Sequence, residues 1–346
     1  MESEECQIYQ YEISQNVFLQ SNLQNHSKFF LFLNDALNPS IFFNFLLPIV
    51  SGMDKDVFLR MTLGGLVADY CSLLMKWFLS EPRPHWWIHE NDGKRLRLQQ
   101  FDGTCECTPG SPSSEIMITA ALFFILISSL EKRCSLTKCC NRLLWTSFVA
   151  LMILQTIGQM FLGLHFLHQC ILGAIAGTII GCIFSSPKFI DSVFNLSRYK
   201  SSLLVIGMFA TDCVTYSLLE FFGVDPNWST RMSFMYCENS DAILPESLII
   251  YSLMRNLGIF IGLTAFVPLS NCRPCVVDCC VSSLYTIAKI TVGLLIFHYM
   301  PRHQGVYIYY ITTVTFYAMY YFLLYGIFKL KLPTKLKLFA GKAGSE

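Results

Sequence analysis

Mainly apolar runs follow one another along this chain at roughly 29–50, 57–79, 116–130, 143–164, 168–185, 202–222, 248–269, 279–299 and 306–328. A bilayer span needs about 17–25 such residues. The pattern therefore predicts an all-α integral membrane protein with about nine transmembrane helices. The run at 116–130 is short unless its helix begins in the preceding loop. Asp69, Lys76 and Lys289 fall inside runs, and in lipid such groups must face the bundle interior. The first 25 residues are polar and acidic rather than basic then apolar, so no cleavable signal peptide is expected and the first run stays in the protein.

Composition agrees with that pattern. Of 346 residues, 53% are hydrophobic and 14% charged, against about 25% charged in globular domains. A net charge of +1 leaves no electrostatic footprint for nucleic acid. Alternate loops divide the lysines and arginines unequally, about fifteen against about eight. By the positive-inside rule the richer side is cytoplasmic. This expectation makes 1–28 a luminal N-terminal segment, 29–328 the nine-helix membrane domain and 329–346 a cytoplasmic basic tail. It also puts the loops 80–115 and 223–247 in the lumen. The sequons at Asn25 and Asn227 fall on the luminal side, where glycosylation occurs, and that at Asn195 does not. Most of the fifteen cysteines lie inside runs or at cytoplasmic edges, so no disulfide framework is expected. Cys272-x-x-Cys275 with Cys279-Cys280 has the look of a zinc or palmitoylation site. No histidine is close in sequence, and small interfacial residues explain it as well. No metal or cofactor is expected.

Three polar segments stand out at the luminal ends of runs. Lys76 is followed by Arg83-Pro84, with Pro82 and Pro84 stopping the helix and aiming Arg83 back at its mouth. A lysine and a rigid arginine suit a phosphate group, although a snorkelling lysine and a loop arginine fit these residues equally. Small residues from Thr104 to Glu115 feed a helix N-terminus, where exposed amides form an anion cradle and Ser113 adds a hydroxyl. Plain capping by Ser113 or Ser114, with Glu115 favouring the dipole, is the competing explanation. His165 lies at the junction of two runs, a candidate nucleophile or acid.

In order, these segments resemble the signature K-x6-R-P, P-S-G-H, S-R-x5-H of the type-2 phosphatidic acid phosphatase superfamily. Lys76-Trp77-Phe78, Arg83-Pro84-His85-Trp86-Trp87, 101–112 and His165-Phe166-Leu167-His168-Gln169 resemble the glucose-6-phosphatase family in particular. So do Trp228, Cys237-Glu238 and Ser252-Leu253-Met254-Arg255-Asn256-Leu257-Gly258. The resemblance implies nine helices around a phosphatidic-acid-phosphatase-type core in the endoplasmic-reticulum membrane, with a luminal site that hydrolyses glucose 6-phosphate or another phosphate monoester. It implies a phosphohistidine on His165, formed without metal or cofactor. Lys76, Arg83 and Ser113 would hold the phosphoryl oxygens. Glucose production is the implied role, with the lipid bilayer and a sugar-phosphate transporter as partners.

Two positions depart from the signature. Pro112-Ser113-Ser114-Glu115 puts a glutamate where the family has the histidine that protonates the leaving alkoxide. Gly158-Gln159 puts a glutamine at a phosphate-clamp arginine. An ionised Glu115 repels phosphate, whereas a protonated one serves as a general acid. Gln159 donates hydrogen bonds without charge. The alternative reading is a catalytically weakened or inactive relative that binds a sugar phosphate in a regulatory role. A transporter has span number and intramembrane charge in its favour but no motif.

Overall fold

A computed structural model describes residues 2–91, 97–134, 136–237, 243, 248–266, 291 and 306–326. Among the described residues every regular element is helical. The N-terminal segment is itself a helix, α1 (Glu2–Leu23). After it come α2 (Ser27–Ala36) and α3 (Pro39–Met53), bent 49° apart, with a π-helical stretch at Phe42–Leu46 inside α3. The core helices are α4 (Lys55–Leu79), the short α5 (Pro84–Asn91), α6 (Ser114–Arg133), α7 (Lys138–Phe161) and α8 (Leu167–Ser185). Then come α9 (Pro187–Phe194), α10 (Arg198–Phe221), α11 (Trp228–Tyr236), α12 (Ile249–Phe266) and α13 (Val306–Gly326).

Five of the described helices are long and apolar enough to cross a membrane, or six if the bent pair α1–α2 with α3 is one span. Two further runs coincide with α12 and α13. The run at 279–299 lies outside the described residues, as do Lys289, the Cys272–Cys280 cluster and the basic tail. The short third run is lengthened as the sequence required: α6 starts at Ser114, two residues before the apolar stretch.

α4, α6 and α8 form the centre. Asp54 starts α4 by accepting from the amides of Asp56 and Val57. α8 comes close to α6 because Gly173 and Gly177 face it; a Cβ on Gly173 would lie 2.6 Å from the Ser113 carbonyl oxygen. The same contact brings the residues following α7 beside the start of α6. Asp69, inside α4, is not left uncompensated: Arg255 Nη2 of α12 meets its Oδ2 at 2.5 Å and Asn256 Nδ2 at 2.8 Å. Both partners of that ion pair are 2% exposed, as an intramembrane charge requires.

α4 ends, and α6 begins, at one end of the bundle. At the opposite end Arg133 pairs with Asp54 and Asp56, and Lys132 donates to the Ser185 carbonyl. The motif residues thus stand at the end away from this basic cluster.

Candidate active site

Lys76 occupies the last turn of α4, which closes at Ser80 in the left-handed conformation (φ 46°). Lys76 is fully buried, and its Nζ donates to Thr108 Oγ1 at 3.0 Å and to the Pro109 carbonyl at 2.7 Å. Arg83, between the two prolines, is also buried. Its Nε donates to the Thr108 carbonyl at 2.7 Å, Nη2 to Thr108 Oγ1 at 2.9 Å, and Nη1 to the Leu164 carbonyl at 3.0 Å. Nη1 also lies 3.4 Å from His165 Nε2. The two cations therefore share one hydroxyl, that of Thr108, beside the histidine.

His165 is 0% exposed. Its Nδ1 sits 2.7 Å from the Gly110 carbonyl, a pure acceptor, so Nδ1 carries the proton and Nε2 presents a lone pair. Burial, and then the Arg83 charge, pull its pKa down to about 4, so the ring is neutral near pH 7. Gly110 has no room for a side chain; a Cβ would meet Gln169 Nε2 at 2.6 Å and the Pro82 carbonyl oxygen at 2.7 Å. Gln169 clasps this loop through Glu81 and the Pro82 carbonyl and caps its own helix through the Phe166 amide.

Ser113 stands at the N-cap of α6 without a capping bond from its side chain. Its Oγ donates instead to Glu115 Oε2 at 3.1 Å, and the same oxygen lies 3.2 Å from His165 Nε2. Lys76, Arg83, Ser113, Glu115 and His165 are thus brought together. Gln159 is close by backbone, its carbonyl accepting from Leu164, but its side chain turns to Asn34 Oδ1 at 3.0 Å. Its own Oε1 is buried without a hydrogen-bond partner among the described residues. A cavity of about 150 Å³ opens beside Glu115, Thr108 and Glu106, and is bounded across by Asn34, Asp69 and Arg255.

Several contributors escape a motif reading. Glu106 lies 3.4 Å from Arg83 Nη2, and burial pushes its carboxyl above the usual range. Thr108 and Gly110 lie in the segment already singled out as a cradle, yet two of its amides serve other ends: Gly110 N bonds the Glu81 carbonyl and Ser113 N the Gln169 carbonyl. The disulfide Cys105–Cys237 departs from the cysteine reading, because both residues lie in site-end loops and not in spans. Helix α1 gave no signal at all. It reaches over the His165 loop, with Asn16 donating to the His165 carbonyl and Glu12 bonding His168 Nδ1 at 2.6 Å.

The sequence model of the PAP2 superfamily matches residues 57–188, which hold every residue of the constellation. A mouse (Mus musculus) protein named glucose-6-phosphatase 2 is 31% identical over 258 residues, covering 71% of this chain and 72% of its own. The chain belongs to the glucose-6-phosphatase family. Glucose-6-phosphatase catalytic subunit 1 of the dog (Canis lupus familiaris) is 27% identical over 84% of each chain, and that of cattle (Bos taurus) 27% over 74% of each. No solved structure matches. Family membership supports a membrane phosphohydrolase acting on phosphate monoesters.

Within this family reading, Arg83 is expected to matter for anion binding whether or not substrate turns over. Arg83→Lys keeps the charge but cannot reach two carbonyls, a hydroxyl and the histidine together. It is expected to weaken vanadate binding by about 1.5–3 kcal/mol, the worth of a charged hydrogen bond. Unchanged vanadate affinity would assign Arg83 to loop structure alone.

Proposed function

We propose that this chain hydrolyses glucose 6-phosphate, or a closely similar phosphate monoester, to the free alcohol and phosphate through a phosphohistidine on His165. The observation that carries this reading is the arrangement about Nε2: Arg83 and Glu115 within 3.4 Å, and Lys76 one hydroxyl away. The Nε2 lone pair attacks phosphorus, the N–P bond forms, and the P–O ester bond breaks. The leaving alkoxide takes a proton from Glu115, which stands at the family's general-acid position. Water then attacks the phosphohistidine, gives its proton to Glu115 and releases phosphate. Lys76, Arg83 and Ser113 stabilise the charge on the transferring oxygens. The reading includes the endoplasmic-reticulum membrane, a nine-helix bundle and a luminal site supplied by a sugar-phosphate transporter. The Cys105–Cys237 disulfide supports a luminal loop, since such bonds persist in oxidising compartments.

One observation favours the alternative, a weakened regulatory relative. With Gln159 turned to Asn34, two cations face two carboxylates, Glu106 and Glu115. A pH profile separates the two readings. The enzyme needs Glu115 protonated at the moment the alkoxide leaves, so its turnover falls as pH rises. It needs His165 unprotonated, so on the acid side turnover is lost only as pH falls through about 4. Glu115→Gln is expected to lower turnover by about 10²–10⁴. A relic binds phosphate without turnover at any pH, and Glu115→Gln then changes no rate.

A further inference from the structure

The proposed chemistry makes no use of helix α1, yet α1 turns one polar stripe to the loop that carries the nucleophile. Glu12, Asn16 and Gln20 are spaced four apart and so share a face of the helix. Gln20 Nε2 donates to the Phe161 carbonyl at 2.8 Å, and Asn16 Nδ2 to the His165 carbonyl at 3.3 Å. Glu12 takes the far end, accepting from the His168 amide at 3.2 Å and meeting His168 Nδ1 at 2.6 Å. The stripe thus grips the loop at its beginning, at the nucleophile and at the first turn of α8. Glu12 and Asn16 are buried, and Ile13 beside them packs in a cluster with Trp87, Leu98 and Phe166.

His168 passes the grip on. Its Nε2 meets Glu81 Oε2 at 2.8 Å, so each ring nitrogen faces a carboxylate oxygen and each contact needs a proton. Imidazole is more basic than a carboxylate, so both protons sit on the ring. Glu81 directly precedes Pro82-Arg83, and its carbonyl accepts from the Gly110 amide at 2.9 Å. The Gly110 carbonyl in turn holds His165 Nδ1. An unbroken series of contacts therefore runs from Glu12 to the ring of the nucleophile, while Asn16 holds its backbone. We infer that α1 is a brace for the nucleophile, with Glu12, Asn16 and His168 as positioning residues that keep His165 Nε2 in line with phosphorus. This rests on the reading of His165 as the nucleophile and goes beyond it. Each of the three acts through another residue. Without them Lys76 and Arg83 keep their bonds to Thr108 and Pro109, so alignment should suffer and anion binding should not. A misplacement of about 1 Å costs about 10²-fold in rate.

Hydrogen exchange, turnover and tungstate binding, measured on the full chain in detergent, test the inference with Glu12→Gln and Asn16→Ala. Amide exchange across 161–168 should quicken about tenfold in Glu12→Gln, which loses a charged hydrogen bond, and less in Asn16→Ala. Exchange in α4 and α6 should stay as it was. In both variants kcat for glucose 6-phosphate should fall, by up to about 10²-fold, while the Kd for tungstate, a phosphate mimic, changes little. Nuclear magnetic resonance of the unaltered chain should show both ring nitrogens of His168 carrying protons at neutral pH, and a neutral ring would overturn the brace. Unchanged exchange in both variants would overturn it too, as would quickened exchange with kcat intact. Parallel loss of kcat and tungstate binding would make α1 a structural support only. An unaltered chain that binds tungstate and releases no phosphate would overturn the hydrolysis reading instead, and the grip of α1 on the loop would then be decided by exchange and by the His168 ring.

Discussion

A chain carrying Glu115→His together with Gln159→Arg is expected to hydrolyse glucose 6-phosphate at least about a hundredfold faster than the unaltered chain. Both positions border the nucleophile. The Gln159 carbonyl accepts from Leu164, and Glu115 touches His165 Nε2. The unpartnered Gln159 Oε1 marks a side chain that its surroundings do not fully use. Asn34, which holds the Gln159 side chain, itself lines the cavity, and an arginine at position 159 would add a third cation beside it. One lost phosphate donor costs roughly 2.7–4 kcal/mol. Glu115→His removes the carboxylate that opposes the incoming anion and supplies an imidazolium that can protonate the leaving alkoxide. The two changes act on one transition state, so the double variant should exceed the sum of the single gains. A folded double variant that stays inert would mean that the pocket has diverged beyond these positions.

His165→Ala should have the largest effect in the opposite direction, taking turnover to background in the unaltered chain and in the double variant alike. No other described nucleophile is as well prepared. His165 is fully buried, its tautomer is fixed by the Gly110 carbonyl, and its Nε2 lies beside Arg83. Without the imidazole no phosphoenzyme forms, and chain captured in alkali after exposure to radiolabelled glucose 6-phosphate should carry no phosphohistidine. His165→Ala should spare tungstate binding largely, because Lys76, Arg83 and Ser113 remain; persistent turnover would place the chemistry on another residue.

Much of this was legible in the sequence because it rests on local chemistry. Helix-length apolar runs and proline stops placed the core helices, and the resemblance to the superfamily signature singled out Lys76, Arg83, Ser113, Glu115 and His165. Other features depend on contacts between distant segments, which no local pattern encodes. The Gly110 carbonyl fixes His165 across 55 residues, and Asn16 reaches the same loop across 149. Helix α1 is polar and left no span signal, although its Asn16 and Glu12 reach the His165 loop. The Cys105–Cys237 bond joins residues 132 apart among many cysteines that lie in spans. Gln159 is the instructive case. Its position matched the phosphate clamp, but Asn34, 125 residues away, decides where its side chain points.

The most direct test of the account is phosphate release from glucose 6-phosphate by microsomes bearing this chain, intact and detergent-opened, alongside microsomes bearing His165→Ala. The account predicts release that depends on His165, rises when the membrane is opened and declines toward alkaline pH. Release no greater than that of His165→Ala at every pH, from a chain that still binds tungstate, would contradict it and leave a sugar-phosphate-binding relic.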